Sequence, residues 1–184
     1  MRIELTEITE VNRDDFIFHP ESFDVFGRLD PIYSNGRWAY NEELFEKSYN
    51  KQYESYTSTQ IGHYLMDDDK TAYVISLNGD IAGRILLQSS WNGYGHVEDL
   101  CVKKRYKRNG LGSELVAKGI EWGKKKGLSG LTLETQDVNL AACRFYHSIG
   151  FEIGGIDKFL YNRSKPEISH EIAVFWYYFN NKEG

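Results

Sequence analysis

The segment Val102-Lys103-Lys104-Arg105-Tyr106-Lys107-Arg108-Asn109-Gly110-Leu111-Gly112-Ser113 carries the residues whose types and spacing most directly imply chemistry. A basic turn leads to two glycines that open a predicted helix. The first turn of a helix has N–H groups without intrahelical partners and the positive end of the macrodipole. Glycines remove the side chains that would keep a pyrophosphate away from those donors. Lys107 and Arg108 add mobile positive charge, and Lys103 to Arg105 extend it toward an outer phosphate. The segment is not a P-loop, because no lysine follows Gly112. It is not a dinucleotide fingerprint either, because the third glycine is absent and a meander of strands precedes it. A glycine pair also occurs in close helix packing, and the lysines at 118 and 124 to 126 also suit a solvated helix face.

The charge distribution sets this segment apart. Net charge is −5. Met1 to Val102 contains 8 basic and 18 acidic residues, Lys103 to Leu128 contains 9 basic and 2 acidic, and the remainder is near neutral. An acidic chain with one short basic stretch does not suit duplex nucleic acid, which needs a broad basic face. It suits one compact anion held near that stretch. No apolar run approaches the ~20 residues needed to cross a bilayer, so no membrane association is expected. The opening Met1-Arg2-Ile3-Glu4-Leu5 alternates like a strand and lacks the apolar block of a signal peptide. Cys101 and Cys143 make neither a disulfide framework nor a metal set and read as small apolar side chains. His63, His147 and His170 show no metal spacing. A cytoplasmic location is expected, with no metal.

The elements that must position the basic turn follow from periodicity. The 184 residues, 41% of them apolar, fit one domain spanning 1–184. The first ~60 residues read as an opening strand followed by mixed helix and loop. Asn41 is placed to cap a helix beginning at Glu42 and Glu43. Thr71 to Leu77 is rich in strand formers, Asn78-Gly79 is a hairpin turn, and Ile81 to Leu87 returns. His96 to Val102 is a third strand. Leu111, Leu115, Gly119, Ile120 and Gly123 recur at helical spacing, and Gly127 stops that helix. Leu131 to Thr135 is a strand. Asn139 caps a helix from Leu140 to Ser148, which Gly150 ends, and Phe151 to Ile156 and Glu171 to Phe179 close the sequence as strands. A strand–helix–strand step around Leu111 to Gly127 implies a right-handed crossover. The predicted class is α/β (α+β), a mixed, mostly antiparallel central sheet with helices on both faces.

A second segment, Asn139-Leu140-Ala141-Ala142-Cys143-Arg144-Phe145-Tyr146-His147-Ser148-Ile149-Gly150-Phe151, completes the pattern. Together the two segments resemble the GCN5-related N-acetyltransferase (GNAT) superfamily. Its phosphate loop reads Arg/Gln-x-x-Gly-x-Gly/Ala and its second signature Asn-x-x-Ala-x-x-Phe-Tyr-x-x-x-Gly-Phe. Asn139, Ala142, Phe145, Tyr146, Gly150 and Phe151 match the second, and Lys107 stands where the family has Arg or Gln in the first. The resemblance implies acetyl-CoA as co-substrate and transfer of its acetyl group to a primary amine. It implies that the strand carrying Leu100 and Val102 offers backbone groups to the pantetheine arm. The loop Lys107, Arg108, Asn109, Gly110, Leu111, Gly112 and Ser113 would cradle the pyrophosphate. Asn139 would contact the cofactor arm, and Tyr146 would protonate the departing thiolate. Without the motif, Tyr146 reads as an amphipathic side chain filling a helix–sheet gap.

A protonated amine cannot attack a thioester, so the reaction needs a group that takes a proton. Period-two alternation puts His96, Glu98, Leu100 and Val102 on one strand face and Val97, Asp99 and Cys101 on the other. Glu98 is the first candidate base, acting through water, or a carboxylate that orders the substrate ammonium. Asp99 is second, because a bulge would swap faces. His96 is third. The acidic first half, Asp67 to Asp69 included, suits a cationic acceptor. Val97-Glu98-Asp99-Leu100, Asp157 to Asn162 and His170 to Tyr177 resemble the streptothricin acetyltransferase branch, whose members acetylate an amine on the β-lysine part of a polycationic antibiotic. A peptide or protein N-acetyltransferase and a non-catalytic acetyl-CoA-binding module are the alternatives. A monomer or homodimer is expected.

Overall fold

The computed structural model describes residues 2–162, 168 and 170–181. Nine strands and three α-helices are formed among them. In chain order these are β1 (Ile3–Glu7), β2 (Phe23–Ser34), β3 (Arg37–Lys51), α1 (Ser58–Met66), β4 (Lys70–Leu77), β5 (Asp80–Ser89), β6 (Gly95–Val102), α2 (Leu111–Lys125), β7 (Gly130–Gln136), α3 (Leu140–Ser148), β8 (Glu152–Asp157) and β9 (Ala173–Phe179). Single 3-10 turns lie at Arg13–Phe16 and Lys104–Tyr106. The class is the mixed, mostly antiparallel α/β arrangement expected from the sequence.

Two compact units make up the chain. The first comprises the described residues within Met1–Ser22, Gln52–Leu131 and Asn180–Gly184. Its strands run β1-β4-β5-β6, each antiparallel to its neighbour. Asn78 and Gly79 both take positive φ, as a tight two-residue hairpin turn requires. Alternation along β4 and β5 then sorts the core into two faces. Ala72, Val74 and Leu86 pack with Ile61 and Tyr64 of α1 and with Ile8 and Phe16. On the other face, Lys118 of α2 lies over the Tyr73 ring, and a Cβ on Gly119 would sit 3.3 Å from Leu87 and 3.4 Å from Ile85. Gly119 thus lets the α2 backbone approach β5 closely. Buried Leu111, Leu115, Val116, Gly119, Trp122 and Gly123 give α2 its core stripe.

The second unit comprises Phe23–Lys51 and the described residues within Thr132–Phe179. Strand order there is β7-β9-β8, and β2 and β3 form a separate two-stranded hairpin. This hairpin corrects the sequence reading of the region. Asn41 caps no helix; it sits inside β3 opposite Asp30. Val25, Gly27 and Leu29 alternate as the buried face of β2. Asn35 and Gly36 supply the positive-φ turn, the same Asn-Gly signal that marks the turn at 78–79. Glu42, read as a helix-start charge, instead accepts two hydrogen bonds from the Arg144 guanidinium of α3. β9 starts at Ala173, two residues later than the pattern suggests. Asp137 makes the difference: its carboxylate accepts from the Ile172 N–H at 2.9 Å and its own N–H donates to the Ile172 carbonyl at 2.9 Å.

Candidate functional site

Strand β6 departs from strict alternation at one residue. Leu86 pairs with Asp99 and Leu87 with Val97, so Glu98 is the extra residue of a β-bulge. Beyond the bulge the faces exchange. Leu100 and Val102, opposite Ile85 and Gly83, lie on the α2 side, whereas Asp99 and Cys101, opposite Leu86 and Arg84, lie on the α1 side. Glu98 therefore does not share a face with Leu100 and Val102, as regular alternation would have it. Its carboxylate meets α1, where the Tyr64 hydroxyl donates to Oε2. Two adjacent carboxylates consequently occupy one side of the sheet.

Their partners differ in kind. Asp99 is tied to Arg84, whose Nε donates to Oδ2 at 2.7 Å. Arg84 is wholly buried on β5. Its Nη1 also donates to the Phe16 and Phe18 carbonyls, and its guanidinium lies 4.6 Å from the Phe18 ring centroid and 5.2 Å from that of Tyr56. Burial raises the proton affinity of the Asp99 carboxyl, and Arg84 opposes that rise. Glu98 instead has neutral hydroxyl neighbours: besides Tyr64, the Tyr56 hydroxyl donates to the Glu98 backbone carbonyl at 3.4 Å. Burial pushes the Tyr56 phenol up to about 12 and that of Tyr64 higher still, with the Glu98 contact adding to the latter. Both remain protonated donors. Burial holds the His96 imidazolium below its ordinary range, partly offset by Glu98. His96 lines a cavity of about 340 Å³ with Gln88, Ser89, Ser90 and Trp91.

The basic turn after β6 is built largely by backbone geometry. Lys103 N–H donates to the Ala82 carbonyl at 2.8 Å, and the Tyr106 hydroxyl donates to Asp80 at 2.9 Å. Asn109 folds back, its Nδ2 donating to the Tyr106 carbonyl at 3.1 Å and to that of Lys107 at 3.3 Å. Arg108 and Gly110 take φ of 64° and 79°. Gly110 is the N-cap of α2, and a Cβ built on it meets nothing within 4 Å. The space beside Gly110 is therefore open. Lys107 and Arg108 are exposed beside it and form no ion pair among the described residues. Open N–H groups, a helix dipole and two mobile cations fit a pyrophosphate.

In the second unit, Asn139 caps α3, its side chain accepting from the Ala142 N–H at 3.2 Å. Tyr146 is buried on α3, with ring centroids 5.2 Å from Phe145 and 5.6 Å from Phe151. Its carbonyl accepts from Phe151 N–H at 3.0 Å, which fixes the end of the helix. The two cysteines are unpaired with each other; burial pushes the Cys101 thiol up to about 11 and Cys143 to about 12. Among the described residues no group of three His, Cys, Asp or Glu side chains could hold a metal ion.

Sequence reasoning missed Tyr56, Tyr64 and Arg84. Tyr64 and Arg84 stand in runs that read as ordinary apolar pattern. Only the unusual charge of Arg84 within Ile81 to Leu87 signals that the strand must bury a counter-charge.

These features define an acyltransferase of a recognised kind. Residues 38–151 match the acetyltransferase (GNAT) family, and the chain belongs to that family. It is an acetyl-CoA-dependent N-acetyltransferase. The chain is 43% identical to streptothricin acetyltransferase A of Bacillus subtilis (strain 168), over 95% of its own length and 98% of that protein. It is 33% identical to the streptothricin acetyltransferase of Escherichia coli, over 64% of its length and 67% of that protein. A Bacillus anthracis str. Ames protein assigned as a streptothricin acetyltransferase, crystallised with acetyl coenzyme A, superposes with a TM-score of 0.88 at 34% identity. That match covers 97% of this chain and 99% of the other. No helix among the described residues is long and apolar enough to cross a membrane.

Proposed function

We propose that this single-domain enzyme acetylates a primary amine of a cationic small molecule, the β-lysine amine of streptothricin, and so confers resistance to it in the cytoplasm. The observation that carries the substrate is the near full-length similarity to streptothricin acetyltransferase A. The acidic balance of Met1 to Val102 supports it, since an anionic co-substrate would not call for that charge whereas a polycationic acceptor would. Loss of one positive charge weakens pairing of such a drug with anionic RNA.

In this reading the loop from Lys107 to Ser113 holds the pyrophosphate. The backbone at Leu100 and Val102 flanks the pantetheine arm, with Asn139 on the same arm. Acetyl-CoA supplies an acetyl group activated as a thioester. Glu98 accepts a proton from the substrate ammonium, directly or through water, and frees the nitrogen lone pair. The nitrogen bonds to the thioester carbon and gives its second proton to solvent as the carbon–sulfur bond breaks, and the thiolate takes the Tyr146 proton. Tyr146 regains a proton from solvent and Glu98 returns one. Asp99, bound to Arg84, is held out of this transfer.

Incubating enzyme, acetyl-CoA and streptothricin should give the drug with one added acetyl group on its β-lysine moiety by mass spectrometry. Acceptor affinity should fall as salt is added, because long-range attraction is screened. An unmodified drug, together with rapid acetylation of peptide N-termini, would replace this reading with a protein-modifying one.

The cradle has its own test. Gly110→Asp puts a side chain and a negative charge at an open left-handed position, a conformation Asp tolerates better than most residues. The fold should survive. Repulsion should weaken acetyl-CoA binding roughly tenfold or more. Titration calorimetry showing unchanged affinity in the folded variant would remove the loop from the binding site.

A further inference from the structure

Within β6, Glu98 is the residue that the ladder leaves over, and both groups reaching it come from one short stretch of chain. Tyr56 lies immediately before Thr57, the N-cap of α1, and Tyr64 lies two turns along the same helix. The start of that helix is fixed by a reciprocal capping box: the Thr57 hydroxyl accepts from the Gln60 N–H at 3.3 Å, and the Gln60 side chain accepts from the Thr57 N–H at 2.9 Å. The Tyr64 ring is 5% exposed and packs with Ile61, Phe16, Val74 and Leu86. Phenylalanine would fill this apolar space equally well. A buried hydroxyl is retained at a cost unless it finds a partner. The partner here is the Glu98 carboxylate. The second hydroxyl, from Tyr56, takes the backbone carbonyl of the same residue.

We propose that Tyr56 and Tyr64 form a two-point hydroxyl clamp on Glu98 and act as positioning residues. Tyr56 fixes the backbone of the bulge, while Tyr64 fixes the direction of the carboxylate. The inference rests on the reading of Glu98 as the group that takes the ammonium proton. The adjacent carboxylate receives the opposite treatment, because Arg84 binds Asp99 through a charged contact. A carboxylate held by neutral hydroxyls forms no ion pair and keeps a fixed direction; the other titratable group facing it is His96. The clamp therefore leaves Glu98 aimed and without an ion pair among the described residues, whereas Asp99 is committed to Arg84. Burial together with the Glu98 contact keeps the Tyr64 phenol protonated, so Tyr64 donates throughout the working pH range.

Tyr64→Phe removes only the hydroxyl. Loss of a donor to the charged form raises the carboxylate's hold on its proton. The acid limb of kcat/KM for streptothricin should move upward by about one to two pH units. Activity should recover at high pH, and KM for acetyl-CoA should stay unchanged. The titration midpoint of the Glu98 carboxyl carbon, followed by 13C NMR and identified by its disappearance in Glu98→Gln, should move upward by a similar amount. This readout needs no turnover. In a Glu98→Gln background, adding Tyr64→Phe should change the pH profile no further. A purely packing role for Tyr64 would lower thermal stability and leave the limb and the midpoint in place. An unmoved Glu98 midpoint in folded Tyr64→Phe overturns the clamp. A moved midpoint with an unmoved rate profile keeps the clamp and overturns Glu98 as the proton acceptor.

Discussion

Tyr146→Phe is expected to lower kcat by about 100- to 10,000-fold, the usual range for removing a positioned general acid, with KM for acetyl-CoA little changed. The substitution keeps the ring that packs against Phe145 and Phe151, so the end of α3 and its aromatic contacts should persist. Only the proton donor is lost. A thiolate leaving without that proton must carry its full charge away, so the loss falls on the transition state and not on binding. Single-turnover mixing of enzyme and acetyl-CoA with amine would show whether chemistry is the step affected. A folded Phe variant with near-normal kcat in that regime would reduce Tyr146 to a packing residue.

The second large effect concerns stability. Arg84→Met is expected to destabilise the protein by about 3–5 kcal/mol, because it leaves a carboxylate with no counter-charge in a largely dry position. Asp99 already holds its proton more tightly than usual because burial disfavours the anion, and Arg84 is the group opposing that rise. Without Arg84 the folded state should bind the Asp99 proton still more strongly than the unfolded state does. Stability lost to this effect then grows as pH rises above the ordinary carboxylate range and shrinks on acidification. Urea denaturation at acidic and neutral pH would show the difference. Arg84→Met combined with Asp99→Leu removes both charges and should recover most of the loss. A double variant as unstable as the single one would mean that the hydrogen bonds to Phe16 and Phe18 and the ring contacts, and not the ion pair, carry the stabilisation.

Much of the first unit was legible from local pattern. Asn78-Gly79 placed the hairpin, helical spacing from Leu111 placed α2, and Gly127, with φ of 70°, marks where that helix stops. The basic turn at Lys103 to Ser113 was readable because charge and glycine spacing are properties of a single segment. The hairpin of β2 and β3 was not read. β3 is largely exposed, so its alternation is faint, and the alternating buried face of β2 ends at Leu29, short of the Asn35-Gly36 turn. At Glu98 the alternation rule gave the wrong neighbours, because a bulge depends on how the ladder of β5 is spent and leaves no mark in the strand's own residues. Tyr56, Tyr64 and Arg84 escaped notice for the same reason. Their significance lies in partners 15 to 68 positions away.

Those separations bear on biosynthesis. Arg84 ties β5, and through Asp99 β6, to the carbonyls of Phe16 and Phe18, so these two residues wait for a partner made 66 to 68 positions later. Contacts of such long range form late, because the intervening chain must close first. The turn that opens α2 mixes ranges: Asn109 folds back on Tyr106 and Lys107, whereas Lys103 and Tyr106 reach Ala82 and Asp80. A protease cut between Phe18 and Tyr56 would turn the contacts of Arg84 with Phe16 and Phe18 from the closure of one chain into the association of two fragments, and refolding should then depend on protein concentration.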